Sequence, residues 1–231
     1  MENPTKVAHD MPSADRYVYI VDDDRDIRTS LHFLLTSVSL TPRSFGSPQD
    51  FIDELPHLVP GPILLDIRMA ELDGFQVLET LAERDFEWPV IMLTAHGNVS
   101  TAVRAIKLGA MEFIEKPFAA DILTQALEQA FTALDQAAHR WLRRDNARLL
   151  FGRLSKRECQ VIEMLMEGAG NKQMAHRLGI SFRTVELHRS KALAKLGVKS
   201  VGEVVAIATA AEVEPGSLLL QYHDRRSKVI D

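Results

Sequence analysis

YVYIVDDD, residues 17–24, is a run of five strand-forming residues that ends in three carboxylates. A strand with one wet face alternates apolar and polar residues, whereas a run that is apolar throughout suits a strand covered on both faces, as in a parallel sheet. PILLD at 62–66 reads the same way and also closes on a carboxylate, Asp66. Further out, PVIMLTA (89–95) and MEFIE (111–115) supply two more apolar runs and TPRSF (41–45) a weaker one. Segments with helical spacing lie between them: Ile27, Leu31, Leu34, Leu35 and Val38; Phe51 and Leu55; Phe75, Leu78 and Leu81; Val99, Val103, Ile106 and Leu108. Five β/α alternations predict an α/β domain, a doubly wound five-stranded parallel sheet. Such sheets hold their sites at the C-terminal strand ends.

Those ends carry an unusual set of side chains. Asp22 and Asp23 follow the first run, Asp66 ends the second, Thr94 ends PVIMLT and Lys116 follows MEFIE. Singly each has a plain structural reading: a helix cap, a β-former, a solvated lysine. Their coincidence at four strand ends points to chemistry. Clustered carboxylates repel one another unless a cation is present, and hard oxygen ligands with room for water suit Mg²⁺. In that cradle Asp66 would be the nucleophile that forms an aspartyl phosphate. Lys116 and the metal would neutralise charge in the transition state, and Thr94 would bond a phosphoryl oxygen.

The rest of the chain changes character. Residues 119–150 contain neither Gly nor Pro and predict one long helix, with Leu123, Leu127, Ala130, Leu134, Ala137 and Trp141 in a weak heptad-like stripe. From Leu154 the helices are short. LSKRECQVIEMLMEG holds the first and Asn171 to Leu178 the second; Gly179 suits a left-handed turn, Ser181 a cap, and 183–196 a third helix stopped by Gly197. A fourth covers 201–211. Two helices about the tight turn Leu178-Gly179-Ile180 match a helix-turn-helix. In the third helix Val185, Ala192, Leu193 and Leu196 can face inward, which leaves the opposite face to enter a DNA major groove. Lys172, Arg183, Thr184 and Lys191 are candidate phosphate contacts. Cys159 reads as a small core residue, and residues 212–231 show no pattern beyond the apolar LLL at 218–220.

Charge supports two modules with different partners. Residues 1–135 hold 10 Lys/Arg against 22 Asp/Glu, while 136–200 hold 14 against 5. The basic stretch suits nucleic acid. No apolar run approaches the ~18 residues of a membrane span, the N-terminus has no signal-like apolar region, and one cysteine allows no intrachain disulfide. A cytoplasmic protein without membrane contact is expected.

VDDD (21–24), LLDIRMAELDG (64–74), TAHG (94–97) and EKPF (115–118) resemble the receiver domain of two-component response regulators. RTVELHRSKALAKL after the LGIS turn resembles a LuxR-type helix-turn-helix, the arrangement of the NarL/FixJ subfamily. The resemblance implies a flavodoxin-like receiver over 16–135 and a small all-α DNA-binding domain over 153–211, joined by a linker helix over 136–152; a flexible stretch over 1–15 and a tail over 212–231 are expected to flank them. It implies that Asp22 and Asp23 hold Mg²⁺ with Asp66 and the Arg68 carbonyl, and that Thr94 and Phe113 are switch residues. It also implies a cis Lys116–Pro117 bond and puts Glu186, Leu187 and Ser190 nearest base edges, with His188 packing or touching a phosphate. Ala70 stands where such receivers usually have proline. The implied partners are a sensor histidine kinase, double-stranded DNA and a second copy of the chain in a phosphorylated homodimer, and two DNA-binding units brought together would match two half-sites of a palindromic operator. Two other readings stay open: a Mg²⁺-dependent phosphatase or phosphotransferase, against which Arg68 stands where a second carboxylate is needed, and a DNA binder independent of phosphorylation.

Overall fold

The computed structural model describes residues 16–70, 72–84, 86–95, 97–214 and 216–222. The expected flexible stretch 1–15 and positions 223–231 of the expected tail lie outside the described residues. The chain divides into two compact units between Ala137 and Ala138.

The first unit alternates β1 (Tyr17–Val21), α1 (Arg25–Ser37), β2 (Thr41–Phe45), α2 (Pro48–Glu54), β3 (Ile63–Asp66), α3 (Gly74–Glu83), β4 (Val90–Thr94), α4 (Val99–Lys107) and β5 (Glu112–Glu115), and ends in the first part of α5 (Ala120–Gly152). All strand pairs are parallel, in the order β2-β1-β3-β4-β5. Every residue of β3 and β4 is buried, as the continuous apolar runs require. Val18, Ile20, Leu64 and Leu93 face α1 and α5 on one side; Tyr19, Val21, Leu65 and Met92 face α2 and α3 on the other. The weaker run forms the edge strand β2, where Pro42, which has no N–H to give, is tolerated. Leu55 leaves α2 for a 3-10 turn, Leu55–His57, because Pro56 cannot continue the helix ladder.

One stripe of helical spacing faces solvent. Val99, Val103 and Ile106 are 82%, 47% and 50% exposed, and Ala105 takes the buried position of α4. Apolar spacing identifies a stripe but not its side. The small Ala105 lets the helix sit close to the sheet and turns the larger residues outward. The heptad-like stripe of α5 is likewise divided: Leu123, Leu127 and Ala130 are spent in the first unit's core, while Trp141 is exposed.

The second unit packs the last part of α5 with α6 (Lys156–Met166), α7 (Asn171–Leu178), α8 (Phe182–Leu196), α9 (Val201–Ala210) and α10 (Leu218–Tyr222). Gly179 caps α7 at φ 65°, where a Cβ is disfavoured, and the Ser181 hydroxyl accepts the Thr184 N–H at 3.1 Å to start α8. Cys159 is fully buried, and burial pushes its thiol up to about 11, so it stays a protonated core residue. The LLL segment, patternless in sequence, belongs to α10, whose Leu218 is fully buried. No described helix is long and apolar enough to cross a membrane.

A half-buried ion pair ties α6 to α8. Glu158 Oε2 accepts the Lys195 ammonium at 2.6 Å and the Ser155 N–H at 2.7 Å. Burial alone would raise the Glu158 carboxyl, but these bonds outweigh it and hold the carboxyl below the ordinary glutamate value. A depressed folded value stabilises fully above the unfolded value and is lost as pH falls through the folded one. Lys195 is 41% exposed, so solvent weakens the pair. Glu158→Gln is therefore expected to cost about 1–2 kcal/mol at neutral pH, with the difference closing below about pH 4. Urea unfolding of the second unit's transition at the two pH values measures it. A gap that persists undiminished in acid would contradict the assignment.

Candidate functional site

The four strand ends meet as the sequence reading expects. Asp22 directly follows β1, Asp66 closes β3, Thr94 closes β4 and Lys116 follows β5; the first three are buried. Lys116 Nζ lies 2.8 Å from Asp22 Oδ2 and 2.6 Å from Asp66 Oδ1, one ammonium bridging two carboxylates. The other Asp66 oxygen accepts the Arg68 N–H at 2.7 Å, and Asp22 Oδ1 accepts the Asp24 N–H at 2.8 Å. The Lys116 N–H donates to the Thr94 carbonyl at 2.6 Å, which fixes the end of β5 against β4, and the Lys116–Pro117 bond is cis.

Electrostatics follow from this packing. Burial pushes the Asp22 carboxyl above its ordinary value, the Lys116 bond opposes that push, and the neighbouring Asp66 charge adds to it. Burial would lower the Lys116 ammonium, but its bonds to Asp22 and Asp66 raise it, so it stays charged. Asp23, by contrast, is exposed, with Oδ2 accepting the Ala70 N–H at 3.0 Å. Among the described residues no three acidic, His or Cys side chains form a ready metal cage. The donor set nevertheless suits Mg²⁺, which takes only one or two carboxylates and keeps several waters. It is all oxygen, carries more negative charge than Lys116 offsets, and includes the solvent-facing Asp23. The Arg68 side chain is exposed, and its main chain borders Asp66. Phe113 is half-buried in β5 beside the sheet core.

In the second unit α7, its turn and α8 form the helix-turn-helix. Val185, Ala192 and Leu196 are buried, and Leu193 is half-buried. Arg183, Glu186, Leu187, Ser190 and Lys191 are exposed along one side of α8, Lys172 is exposed near the start of α7, and Thr184 and His188 are half-buried. Among the described residues Lys172, Arg183 and Lys191 enter no ion pair with protein carboxylates. Charged side chains held on a helix face without protein partners suit phosphate contact.

Residues 18–128 match the response regulator receiver domain, and residues 153–208 match the luxR family of bacterial regulatory proteins. The chain is 36% identical over 188 residues to the transcriptional regulatory protein TdiR of Thauera aromatica, covering 81% of this chain and 83% of TdiR. It is 38% identical over 195 residues to the transcriptional regulatory protein FixJ of Bradyrhizobium diazoefficiens, covering 84% of this chain and 95% of FixJ. The solved structure of the response regulator StyR has a TM-score of 0.75 at 34% identity, covering 85% of this chain and 99% of StyR. The chain belongs to the NarL/FixJ response regulators.

As a NarL/FixJ response regulator it is a DNA-binding protein of a two-component system, and its family is one of transcription regulators. Several contacts of this regulator escape sequence reasoning. Arg28 Nη1 donates to the Asp22 carbonyl at 2.6 Å and steadies the acidic loop from α1. Ala70, at the position where the resemblance leads one to expect proline, uses an N–H that proline lacks to hold Asp23. Gly74 is required by close approach: a Cβ there would lie 2.3 Å from the Asp66 carbonyl oxygen. Arg189 Nη1 donates to Asn171 Oδ1 at 3.0 Å and ties α8 to the start of α7. The LDG motif was a signal for Gly74; the arginines sat among many others.

Proposed function

We propose that a sensor histidine kinase phosphorylates Asp66 and that the phosphorylated chain dimerises on a palindromic double-stranded operator to control transcription. The observation that carries this reading is the Lys116 ammonium bridging Asp66 and Asp22. An Asp66 oxygen attacks the phosphorus of a phosphohistidine; the O–P bond forms, the P–N bond breaks, and the imidazole leaves with the electron pair. Lys116 stays protonated and offsets the charge that develops on the transferred group, while the Arg68 N–H holds the second Asp66 oxygen. Asp22, Asp23, Asp66 and the Arg68 carbonyl would hold Mg²⁺. When bound, it supplies further charge neutralisation for the phosphoryl oxygens. Thr94 hydrogen-bonds the acquired phosphoryl group and Phe113 responds on the same edge, so the modification reaches the β4–β5 side.

In this reading residues 16–135 are the receiver, 136–152 the linker and 153–211 the DNA-binding domain, and the protein works in the cytoplasm. The chain performs only its own phosphoryl transfer and hydrolysis. On the DNA side, Lys172, Arg183, Thr184 and Lys191 take phosphates, Glu186, Leu187 and Ser190 meet base edges, and His188 packs at the boundary. Dimerisation draws support from the exposed apolar stripe Val99, Val103 and Ile106, spaced three and four residues apart on α4. The test is sizing of the full chain with and without acetyl phosphate and Mg²⁺. Treated wild type is expected to dimerise, and Val103→Glu with Ile106→Glu should weaken the dimer by at least about tenfold while Asp66 is still phosphorylated. A monomer at every concentration after full phosphorylation would refute the dimer, and equal dimerisation by the double variant would remove α4 from it.

A further inference from the structure

The receiver match ends before α5 does, and the luxR-family match begins at 153 and ends at 208. Ala147 and Phe151 of α5 pack in one core with α6, α8 and α9. Neither match covers the further contacts that the segment after α9 makes with the last turns of α5. Glu212 adopts φ 55°, a left-handed conformation that is disfavoured for a non-glycine residue. That turn aims its carboxylate back at α5, where Arg144 Nη2 lies 2.7 Å and Arg148 Nη2 3.8 Å from Glu212 Oε2. Arg148 Nε also donates to the Ala211 carbonyl at 3.3 Å. After a second turn at Gly216, α10 returns to the same region. Leu218 is fully buried, and the Tyr222 ring lies 6.1 Å from that of Phe151, itself fully buried in α5. The Leu219 N–H donates to Glu163 Oε1 at 3.2 Å, so a buried carboxylate of α6 receives the start of α10.

We propose that residues 211–214 and 216–222 are a clamp that makes the last turns of α5, residues 144–152, part of the DNA-binding unit, so that linker helix and recognition helix move as one body. The clamp grips α5 from one side through ion pairs and a ring contact, and α6 through Leu218 and Glu163. A helix end held only by its own backbone bonds frays, because its last carbonyls lack partners and opening it exposes little apolar surface. Phe151 and Ala147, both buried, give this end a packed face instead. A change in α5 therefore reaches α8 through a stiff connection. Without the clamp it would be absorbed by fraying near Gly152. The regulatory half of this proposal rests on the phosphorylation reading above.

Hydrogen exchange on the full chain tests the clamp, with DNA affinity measured before and after acetyl phosphate treatment. Leu218→Asp should raise amide exchange over 145–152 by at least about tenfold while α7 and α8 keep their protection. Unchanged exchange over 145–152 would overturn the proposal. If Leu218→Asp also loosens α7 and α8, Tyr222→Ala decides, because it removes only the ring against Phe151. It should raise exchange over 148–152 by about threefold, and no change there would overturn the clamp. The ratio of DNA affinities with and without phosphorylation should fall toward one in the variant that frees 145–152. A ratio as large as in wild type would overturn the coupling. A wild-type ratio of one would count against the phosphorylation reading, and the clamp would then be judged by exchange alone.

Discussion

Asp66→Asn is expected to abolish phosphorylation by acetyl phosphate and Mg²⁺, with an initial rate lowered by more than about 10³-fold, while far-UV circular dichroism stays that of wild type. The amide is nearly isosteric with the carboxylate but is not a nucleophile. It also disturbs the hydrogen bonding. Both Asp66 oxygens accept bonds, from Lys116 at 2.6 Å and from the Arg68 N–H at 2.7 Å. An asparagine must point its NH₂ at one of these donors. Lys116 retains Asp22 at 2.8 Å, so its charge is not stranded and the fold survives. Intact-mass spectrometry before and after treatment reads the result, since an acyl phosphate adds one labile phosphoryl group. A fully labelled Asp66→Asn chain would overturn the assignment. Lys116→Ala separates nucleophile from electrostatic partner: Asp66 remains, but two carboxylates lose their shared cation, so both phosphoryl transfer and stability should fall.

Lys172→Ala and Lys191→Ala are expected to weaken binding to every duplex, random sequence included, and each should flatten the dependence of log affinity on log salt by about one unit. The argument is counterion release: a lysine on a phosphate displaces a condensed cation, and its loss removes that entropy whatever the bases are. Glu186, Leu187 and Ser190 predict a different result. They lie exposed on the same helix, where a major-groove contact meets base edges, so their replacement should change which sequences win a binding selection. Discrimination at the affected position should change by about 1–3 kcal/mol, or roughly five- to a hundred-and-sixtyfold. Fluorescence anisotropy at several salt concentrations measures the first effect, and sequencing of selected duplexes the second. Salt slopes unchanged in both lysine variants would remove them from the phosphates. An unchanged sequence preference in all three others would take α8 out of the groove.

Local sequence determined much of this molecule. YVYIV, PILLD and PVIMLT are short, β-prone and apolar at consecutive positions, which suits strands covered on both faces, so a parallel sheet with carboxylates at its strand ends was legible in the order of residues. Glycine conformations and hydroxyl caps act over three or four residues, so Gly179, Ser181 and Gly197 marked the helix ends of the second unit directly. The tertiary structure decided whatever depends on a partner distant in the chain. Whether Val99, Val103 and Ile106 face the core or solvent turned on how closely Ala105 lets α4 approach the sheet. Lys116 stands 94 residues from Asp22 and 50 from Asp66, and the spacing of strand ends across the sheet, not sequence periodicity, brings its ammonium to both. LLL at 218–220 carries no helical signal of its own. Its five-residue helix exists because Leu218 is buried in the second unit's core, where α10 packs on α6, and a helix that short draws its stability from packing, since one turn cannot offset the entropy of nucleation.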